Sequence, residues 1–188
     1  MRIISGNAKG KKILNPINKK TRPLKDMVRE SIFNILNHSN LLSVNLKECI
    51  VLDLFSGVGS FGLEAISRGV KKVVFCENYQ PAINLLMKNL YFLNFNRKAE
   101  VIKRNIYLRS AFKKINYKFD VVFIDPPFKD ENLNLLLNNI ILSGILNSKT
   151  LIIIHRNKIT KDNFHKKLKI VREEVYGSSK IIFGFFNL

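Results

Sequence analysis

The sequence is poor in the features that mark secreted and membrane-spanning proteins. It has two cysteines, Cys49 and Cys76, without the spacing of a metal site, so we expect two buried thiols in a reducing cytoplasm. No apolar run approaches the roughly 20 residues that a bilayer-spanning helix needs. The first residues, MRIISGNAKGKKILNP, lack the apolar segment of a signal peptide. We therefore expect a cytoplasmic protein with no membrane contact.

Acidic residues are also scarce. The chain has 14 Asp and Glu against 32 Lys and Arg, which gives a formal net charge of +18. Such an excess usually serves to neutralise phosphates. A compositional drift toward lysine is the alternative explanation, but drift alone would not remove acids, so nucleic acid is the favoured partner. The 188 residues and 46% apolar content suit one globular domain, which we expect to be a monomer.

Residues 1–40 predict a basic extension made of a small hairpin and a helix. Two short β-type runs surround the turn residues Gly6 and Gly10, and apolar residues at helical spacing predict a helix over Leu24–Asn37. The basic side chains of this extension are candidates for contact with RNA phosphates: Arg2, Lys9, Lys11, Lys12, Arg22 and Arg29. For Arg22 and Arg29, contact with a bound cofactor is an open alternative.

Residues 48–188 alternate between strand-like and helix-like segments, which predicts an α/β fold with a doubly wound, mostly parallel sheet of seven strands. The predicted strands are Ile50–Leu54, Lys72–Cys76, Glu100–Lys103, Phe119–Ile124, Thr150–His155, Lys169–Tyr176 and Lys180–Phe186. The last two are expected to form an antiparallel hairpin. The predicted helices of this core are Ser60–Arg68, Pro81–Leu93, Ile106–Lys113 and Asn132–Leu142.

Three of only nine glycines cluster after the first predicted strand, at Gly57, Gly59 and Gly62, and the acid Glu77 ends the second strand. This G-x-G-x-x-G pattern is the fingerprint of a dinucleotide site, but the same geometry suits S-adenosylmethionine, which also carries an adenosine. Asp53 lies at the tip of the first strand, where a carboxylate is unfavourable beside a pyrophosphate and favourable beside an ammonium group and a sulfonium. The alternative for Asp53 is a carboxylate that caps the N–H groups of the loop. This position of Asp53, and above all the motif described next, favour S-adenosylmethionine over a dinucleotide.

Two of only five prolines stand together in Asp125-Pro126-Pro127-Phe128, which follows the fourth predicted strand. Ligands of doubly wound sheets bind beyond the carboxyl ends of the strands near the switch point. Asp125 and the Pro126 carbonyl can both accept hydrogen bonds from one NH₂ group, and Asp125 can take a proton from it. Phe128 offers a face for stacking a base. The alternative interpretation is a rigid turn with an aromatic plug.

Four stretches together resemble class I methyltransferases with a D-P-P-[YF] signature, and more closely the RsmD-type small-subunit rRNA guanine-N2 methyltransferases. They are RIISGNAKGKKI, RPLKDMVRESIFNIL, VLDLFSGVGSFGLEAISRG and FDVVFIDPPF. The helix motif and the E-A-x-S-R-G ending are specific to this group. The resemblance implies a Rossmann-like fold, S-adenosylmethionine as cofactor, and 16S rRNA or an assembling 30S subunit as partner, with the modified guanine given by the family name as 966.

The resemblance also implies roles for individual residues. The expected catalytic residues are Asp125, Pro126 and Phe128, and no metal is expected because the sulfonium is already activated by its charge. The expected cofactor-binding residues are Asp53, Phe55, Gly57, Gly59, Glu77, Asn78 and Asn105. The chain departs from the family pattern at four of its positions, which are Leu24 for Thr, Met27 for Arg, Asn105 for Asp and Phe128 for the commoner Tyr.

Three other functions stay open at this point. An adenine-N6 DNA or RNA methyltransferase would share the D-P-P-F motif, an oxidoreductase would share the glycine pattern, and a non-catalytic RNA-binding protein would share the scaffold. His155 and His165 belong to no motif, and we expect both to be structural or exposed.

Overall fold

The computed structural model describes residues 1–15, 24–42, 45–113 and 115–188. Its centre is a sheet of seven strands. In chain order they are β1 (Ile50–Leu54), β2 (Lys72–Cys76), β3 (Ala99–Ile102), β4 (Val121–Ile124), β5 (Leu151–Asn157), β6 (Leu168–Tyr176) and β7 (Ser179–Phe186). Every residue of β4 is buried, as expected for a parallel strand that is covered on both faces.

The strand order is β3-β2-β1-β4-β5-β7-β6. Strands β1 to β5 pair in parallel, while β7 lies antiparallel between β5 and β6. From β1 the chain builds outward to β3 on one side and then returns to place β4 on the other. The switch point of the sheet is therefore between β1 and β4. This topology confirms the predicted mostly parallel, doubly wound sheet with an antiparallel C-terminal hairpin.

In the described ranges, four α-helices cover the two faces of the sheet: α1 (Asp26–His38), α2 (Ser60–Ser67), α3 (Gln80–Phe92) and α4 (Leu133–Leu142). Helices α1, α2 and α3 contribute to the apolar cluster on one face, and α4 contributes to the cluster on the other. Phe61 of α2 stacks on Phe33 of α1 and on Phe123 of β4, with ring centroids 5.0 and 3.9 Å apart. Within the described ranges, no helix is long and apolar enough to cross a membrane.

Two predicted elements are less regular than expected. The predicted helix Ile106–Lys113 is reduced to a 3₁₀ turn over Arg109–Phe112. In the segment before it, the side chain of Asn105 accepts the N–H of Tyr107 at 3.0 Å. The predicted N-terminal hairpin is, in its described part, one antiparallel bridge between Arg2 and Lys12. Residues 16–23, which include Arg22 and the expected helix start at Thr21, lie outside the described residues.

Besides the backbone hydrogen bonds around this bridge, side chains of α2 hold the segment 1–15. Glu64 accepts the N–H groups of Ile4 and Ser5 at 2.8 and 3.0 Å, and Ser67 Oγ accepts the N–H of Ala8 at 3.0 Å. Gly6 has φ +86°, and a Cβ there would lie 1.9 Å from the carbonyl oxygen of Ser67. The E-A-x-S-R-G ending of the loop motif therefore anchors the N-terminal segment on the core.

Candidate active site

Strand register brings four side chains to one edge of the sheet. Leu54 of β1 pairs with Cys76 of β2 and with Ile124 of β4, and Ile124 in turn pairs with Ile154 of β5. The next residues along these strands therefore emerge side by side at the carboxyl edge. They are Phe55, Glu77, Asp125 and His155.

A cavity of about 680 Å³ opens at this edge. All four residues of the D-P-P-F motif line it, together with residues that follow β1 and β2 and with His155 of β5. The complete lining is Phe55, Glu77, Asn78, Tyr79, Tyr107, Asp125, Pro126, Pro127, Phe128, Asp130 and His155. A volume of this size lies in the range of small-molecule and cofactor sites. The structure thus brings together Phe55, Glu77 and Asn78, expected to bind cofactor, with Asp125, Pro126 and Phe128, expected to act on the substrate.

The loop after β1 turns through left-handed backbone conformations beside the cavity. Phe55, Gly57 and Gly59 have φ values of 57°, 55° and 87°. For Phe55 this conformation is unfavourable, and such strain is typical of ligand-binding loops. The carboxylate of Glu77 holds the loop, since it accepts the N–H of Gly57 at 2.8 Å and the N–H groups of Asn78 and Tyr79 at 2.9 Å each.

Asp53 does not line the cavity, which corrects the expectation of direct contact with a cofactor. Asp53 is only 1% exposed, and its Oδ2 accepts the N–H of Gly62 at 3.0 Å. Burial raises the pKa of Asp53 well above its usual value, and the nearby charges of Asp125 and Glu77 act in the same direction. Asp53 therefore fixes the start of α2 beneath the loop.

Packing of α2 requires glycine at both Gly62 and Gly59. A Cβ on Gly62 would lie 2.3 Å from the ring of Phe75, and a Cβ on Gly59 would lie 2.5 Å from Leu86 Cδ1. Glycine lets α2 approach β2 and α3 closely.

The side chain of Asp125 is held by a histidine that belongs to none of the sequence motifs. Nδ1 of His155 lies 2.8 Å from Asp125 Oδ1, and Nε2 of the same ring lies 2.9 Å from Ser179 Oγ. His155 is 5% exposed, and its ring meets that of Phe128 edge-on with centroids 5.5 Å apart. The expectation that His155 is structural or exposed thus overlooked its contact with the D-P-P-F motif.

Arg156 is a second residue at the site that the sequence motifs do not reveal. Its guanidinium is buried, with Nη1 donating to the Pro127 carbonyl at 3.2 Å and Nη2 donating to the Asp130 carbonyl at 3.0 Å. Nε donates to Asp162 Oδ1 at 2.9 Å. Arg156 therefore fixes the backbone of the loop that carries Phe128.

Tyr107 forms part of the cavity wall. The Tyr107 hydroxyl donates to the Asp130 carboxylate, and burial together with this carboxylate raises the pKa of Tyr107. Its ring lies 5.8 Å from that of Phe55. Asn105, expected beside an adenine amine, lines a small adjoining cleft and already accepts the N–H of Tyr107 through its side-chain oxygen.

Arg29 corrects another expectation, since it is fully buried and does not line the cavity. Its guanidinium donates to the carbonyl of Arg2 at 2.6 Å and to Asp26 at 3.0 Å, and it lies 3.6 Å from Glu64. Burial is the largest influence on Arg29 and lowers its pKa. The other expected RNA contacts in the described residues are all exposed: Arg2, Lys9, Lys11 and Lys12.

A family model described as "Conserved hypothetical protein 95" matches residues 1–185. The ribosomal RNA small subunit methyltransferase D of Haemophilus influenzae is 38% identical over 144 residues, which cover 74% of this chain and 72% of that protein. The protein YlbH of Bacillus subtilis is 32% identical over 180 residues, 94% of each chain.

A solved structure has the same fold along nearly its whole length. The protein yhhF of Escherichia coli superposes with a TM-score of 0.80 at 28% identity, with coverage of 99% of this chain and 97% of that chain. Together with the family model, this agreement confirms the resemblance drawn from the four motifs. The chain therefore belongs to the Conserved hypothetical protein 95 family, the RsmD family of Rossmann-like methyltransferases.

Proposed function

We propose that this protein is an S-adenosylmethionine-dependent rRNA methyltransferase that methylates the exocyclic N2 amine of a guanine in 16S rRNA, at the position that the family name gives as 966. The observation that carries the proposal is one cavity of about 680 Å³ lined by both Glu77 and Asp125. A carboxylate suited to ribose hydroxyls and a carboxylate suited to an amine thus face the same space. Relatives named ribosomal RNA small subunit methyltransferase D support the rRNA substrate.

The residues of the cavity fit the proposed cofactor. Glu77 can accept hydrogen bonds from ribose hydroxyls, and Asn78 lies beside it in the cavity lining. The loop from Phe55 to Gly59 can hold the methionyl end. The left-handed backbone at Gly57 and Gly59 brings main-chain groups close to a ligand. When bound, the cofactor supplies a methyl group on a cationic sulfur. Within the described residues, no group of three or more His, Cys, Asp or Glu side chains is placed to hold a metal ion.

The D-P-P-F motif would hold the amine of the target base. Pro127 already uses its carbonyl to accept from Arg156 and from the N–H of Asp130, so the carbonyl of Pro126 is the candidate acceptor for the second N–H. Asp125 accepts the first N–H and takes a proton from the nitrogen as it gains the methyl group. Phe128 stacks on the base. Positioning and charge placement supply most of the rate acceleration.

RNA would approach over the rim of the cavity. A second cavity of about 430 Å³ shares Phe128 and Asp130 with the first, and its lining includes Lys129 and Lys161. These two lysines are exposed and can meet phosphates that flank the target base. We further propose that the protein acts as a cytoplasmic monomer on 16S rRNA or on an assembling 30S subunit.

The experiment that tests this proposal compares the wild-type protein with Asp125→Ala. Both are incubated with radiolabelled S-adenosylmethionine and 30S subunits or 16S rRNA prepared without this methylation, and the labelled nucleotide is mapped by mass spectrometry. We expect one N2-methylguanine with the wild type and a loss of at least about 100-fold with Asp125→Ala, as for a general acid or base. Lys118→Ala, far from the cavity lining, is the matched control.

Labelled N6-methyladenine would instead support the alternative function as an adenine methyltransferase. Equal transfer by Asp125→Ala and wild type would contradict the role of this carboxylate. Binding of a nicotinamide dinucleotide with no calorimetric response to S-adenosylmethionine would contradict the choice of cofactor.

A further inference from the structure

We propose that His155, supported by Ser179, is a positioning residue that reserves one oxygen of Asp125 for the substrate amine. The inference rests on the methyltransferase function proposed above and adds a residue that none of the motifs contains.

The first step is that His155 occupies Oδ1 of Asp125. Nδ1 lies 2.8 Å from that oxygen, and the pairing of Ile154 with Ile124 places the two side chains on neighbouring strands. An ionised carboxylate only accepts hydrogen bonds, so Nδ1 carries the hydrogen in this contact. Because Oδ1 is committed to the ring, Oδ2 is the oxygen that accepts the N–H of the substrate.

The second step concerns the other ring nitrogen. In a neutral imidazole with hydrogen on Nδ1, Nε2 is an acceptor. Ser179 Oγ lies 2.9 Å from Nε2, and a hydroxyl can donate to such an acceptor. Ser179 is 2% exposed and is the first residue of β7, which pairs with the end of β5. The carboxylate of Asp125 therefore selects the tautomer, and the hydroxyl supplies the donor that the other ring nitrogen then needs.

The third step is that the ring cannot turn away. His155 is 5% exposed, and its edge contact with Phe128 ties the orientation of the carboxylate to that of the aromatic face that stacks the base. A displacement of about 1 Å at a reacting group can reduce the rate by about 100-fold. Loss of the Nδ1 donor should therefore reduce kcat more than it changes cofactor affinity.

Two isosteric variants separate this role from simple packing. The amide nitrogen of an asparagine can occupy the place of Nδ1, whereas that of a glutamine reaches toward the place of Nε2. His155→Asn keeps the donor to Asp125, and His155→Gln keeps only the contact with Ser179. We expect His155→Asn to retain kcat within about 5-fold of the wild type and His155→Gln to lose about 10- to 100-fold.

The measurement is single-turnover methyl transfer to 30S subunits by the full chain, with the melting temperature and calorimetric affinity for S-adenosylhomocysteine recorded for each variant. Both variants are polar and similar in size, so a difference between them in kcat at equal melting temperature supports the inference. Equal kcat for wild type, His155→Asn and His155→Gln would overturn it. A parallel loss of kcat and melting temperature in both variants would also overturn it, in favour of a structural role.

Failure of the proposed function gives a different result. In that case the wild-type protein itself transfers no methyl group to small-subunit rRNA, and the comparison of His155 variants is not reached. Ser179→Ala provides an independent check: we expect a reduction of kcat in the same direction as for His155→Gln and smaller. Unchanged kcat in Ser179→Ala would contradict the part assigned to the hydroxyl.

Discussion

Three carboxylates at the carboxyl edge of the sheet differ in their surroundings and therefore in what they can do. Asp53 is buried with one backbone donor, Glu77 accepts from three backbone N–H groups, and Asp125 is paired with His155. Only Glu77 and Asp125 line the cavity. The sequence places all three at strand ends, but it does not show which of them is covered by the loop after β1.

The buried carboxyl of Asp53 should make stability fall as pH rises. Its pKa is raised above the usual 3.8 in the folded protein, so between pH 3.8 and the folded pKa the native state holds a proton that the unfolded state has lost. Stability decreases with pH in that window. Asp53→Asn keeps an acceptor for Gly62 and removes the titration. We expect the free energy of unfolding of Asp53→Asn to increase relative to that of the wild type as pH rises.

Urea unfolding of both proteins from pH 4 to pH 8 measures this difference. A constant difference over the whole range would show that Asp53 titrates normally. Glu30→Gln is the control, because Glu30 is exposed on the surface of α1.

Gly62 reverses the usual rule that alanine is preferred to glycine inside a helix. Alanine would normally stabilise a helix interior by about 1 kcal/mol, but the added Cβ would lie 2.3 Å from the Phe75 ring and 2.8 Å from Val73 Cγ1. We expect Gly62→Ala to destabilise the fold by about 1–3 kcal/mol. Thermal unfolding checks this, and the added substitution Phe75→Leu should recover part of the loss. A higher melting temperature for Gly62→Ala would contradict the packing.

Strand β5 shows where prediction from sequence ends at the scale of an element. The apolar run Thr150–His155 predicts a buried parallel strand, and the observed strand is Leu151–Asn157. Near its carboxyl end, His155 contacts the side chain of Asp125, and Arg156 donates to the backbone carbonyl of Pro127. A histidine at the carboxyl end of a strand next to β4 was the available signal. The contact with Ser179 depends on the register of β7, and hydrophobic periodicity does not predict strand register.

The hydrogen bonds from Arg156 to the Pro127 and Asp130 carbonyls should matter more for activity than for stability. Arg156→Met leaves the Asp162 carboxylate, only 7% exposed, without its partner, which we expect to cost about 3–5 kcal/mol. Adding Asp162→Asn removes the unpaired charge and should restore most of that stability. The Pro127 and Asp130 carbonyls still lack their donors, so we expect methyl transfer to stay low in the double variant.

Urea unfolding and single-turnover transfer on the same samples test this separation. Arg172→Met is the matched control, since Arg172 pairs with Glu174 at an exposed position and such pairs contribute at most about 1 kcal/mol. Recovery of activity together with stability in the double variant would show that the D-P-P-F loop keeps its conformation without the hydrogen bonds from Arg156.

For the whole molecule, the sequence predicted the architecture better than the distribution of its charge. The alternation of segments predicts the sheet, because buried parallel strands and amphipathic helices have different periods. The surplus of +18 indicates a polyanionic partner but not which basic residues meet it. Arg29 lies inside the protein, where it pairs with Glu64 and Asp26. The sequence could not predict this, because helical spacing alone does not distinguish a buried guanidinium from an exposed one.

The two edges of the sheet offer a direct test of where RNA binds. Lys129 follows β4 and Lys161 follows β5 at the carboxyl edge, whereas Lys118 precedes β4 and Lys149 precedes β5 at the opposite edge; all four are exposed. Replacing either pair by alanine changes the net charge equally. We expect only Lys129→Ala with Lys161→Ala to weaken RNA binding and to lower the slope of log K against log salt by about 0.7–0.9 for each phosphate that is no longer neutralised.

Filter binding or fluorescence anisotropy with a 16S rRNA fragment, at several salt concentrations, measures both quantities. The pair at the amino edge should keep the wild-type slope, because a charge at a distance beyond the Debye length of about 8–10 Å from the bound RNA is largely screened. Equal reductions for the two pairs would mean that the overall charge attracts RNA without a defined face. A reduction confined to Lys118→Ala with Lys149→Ala would place the RNA at the other end of the strands, away from Asp125.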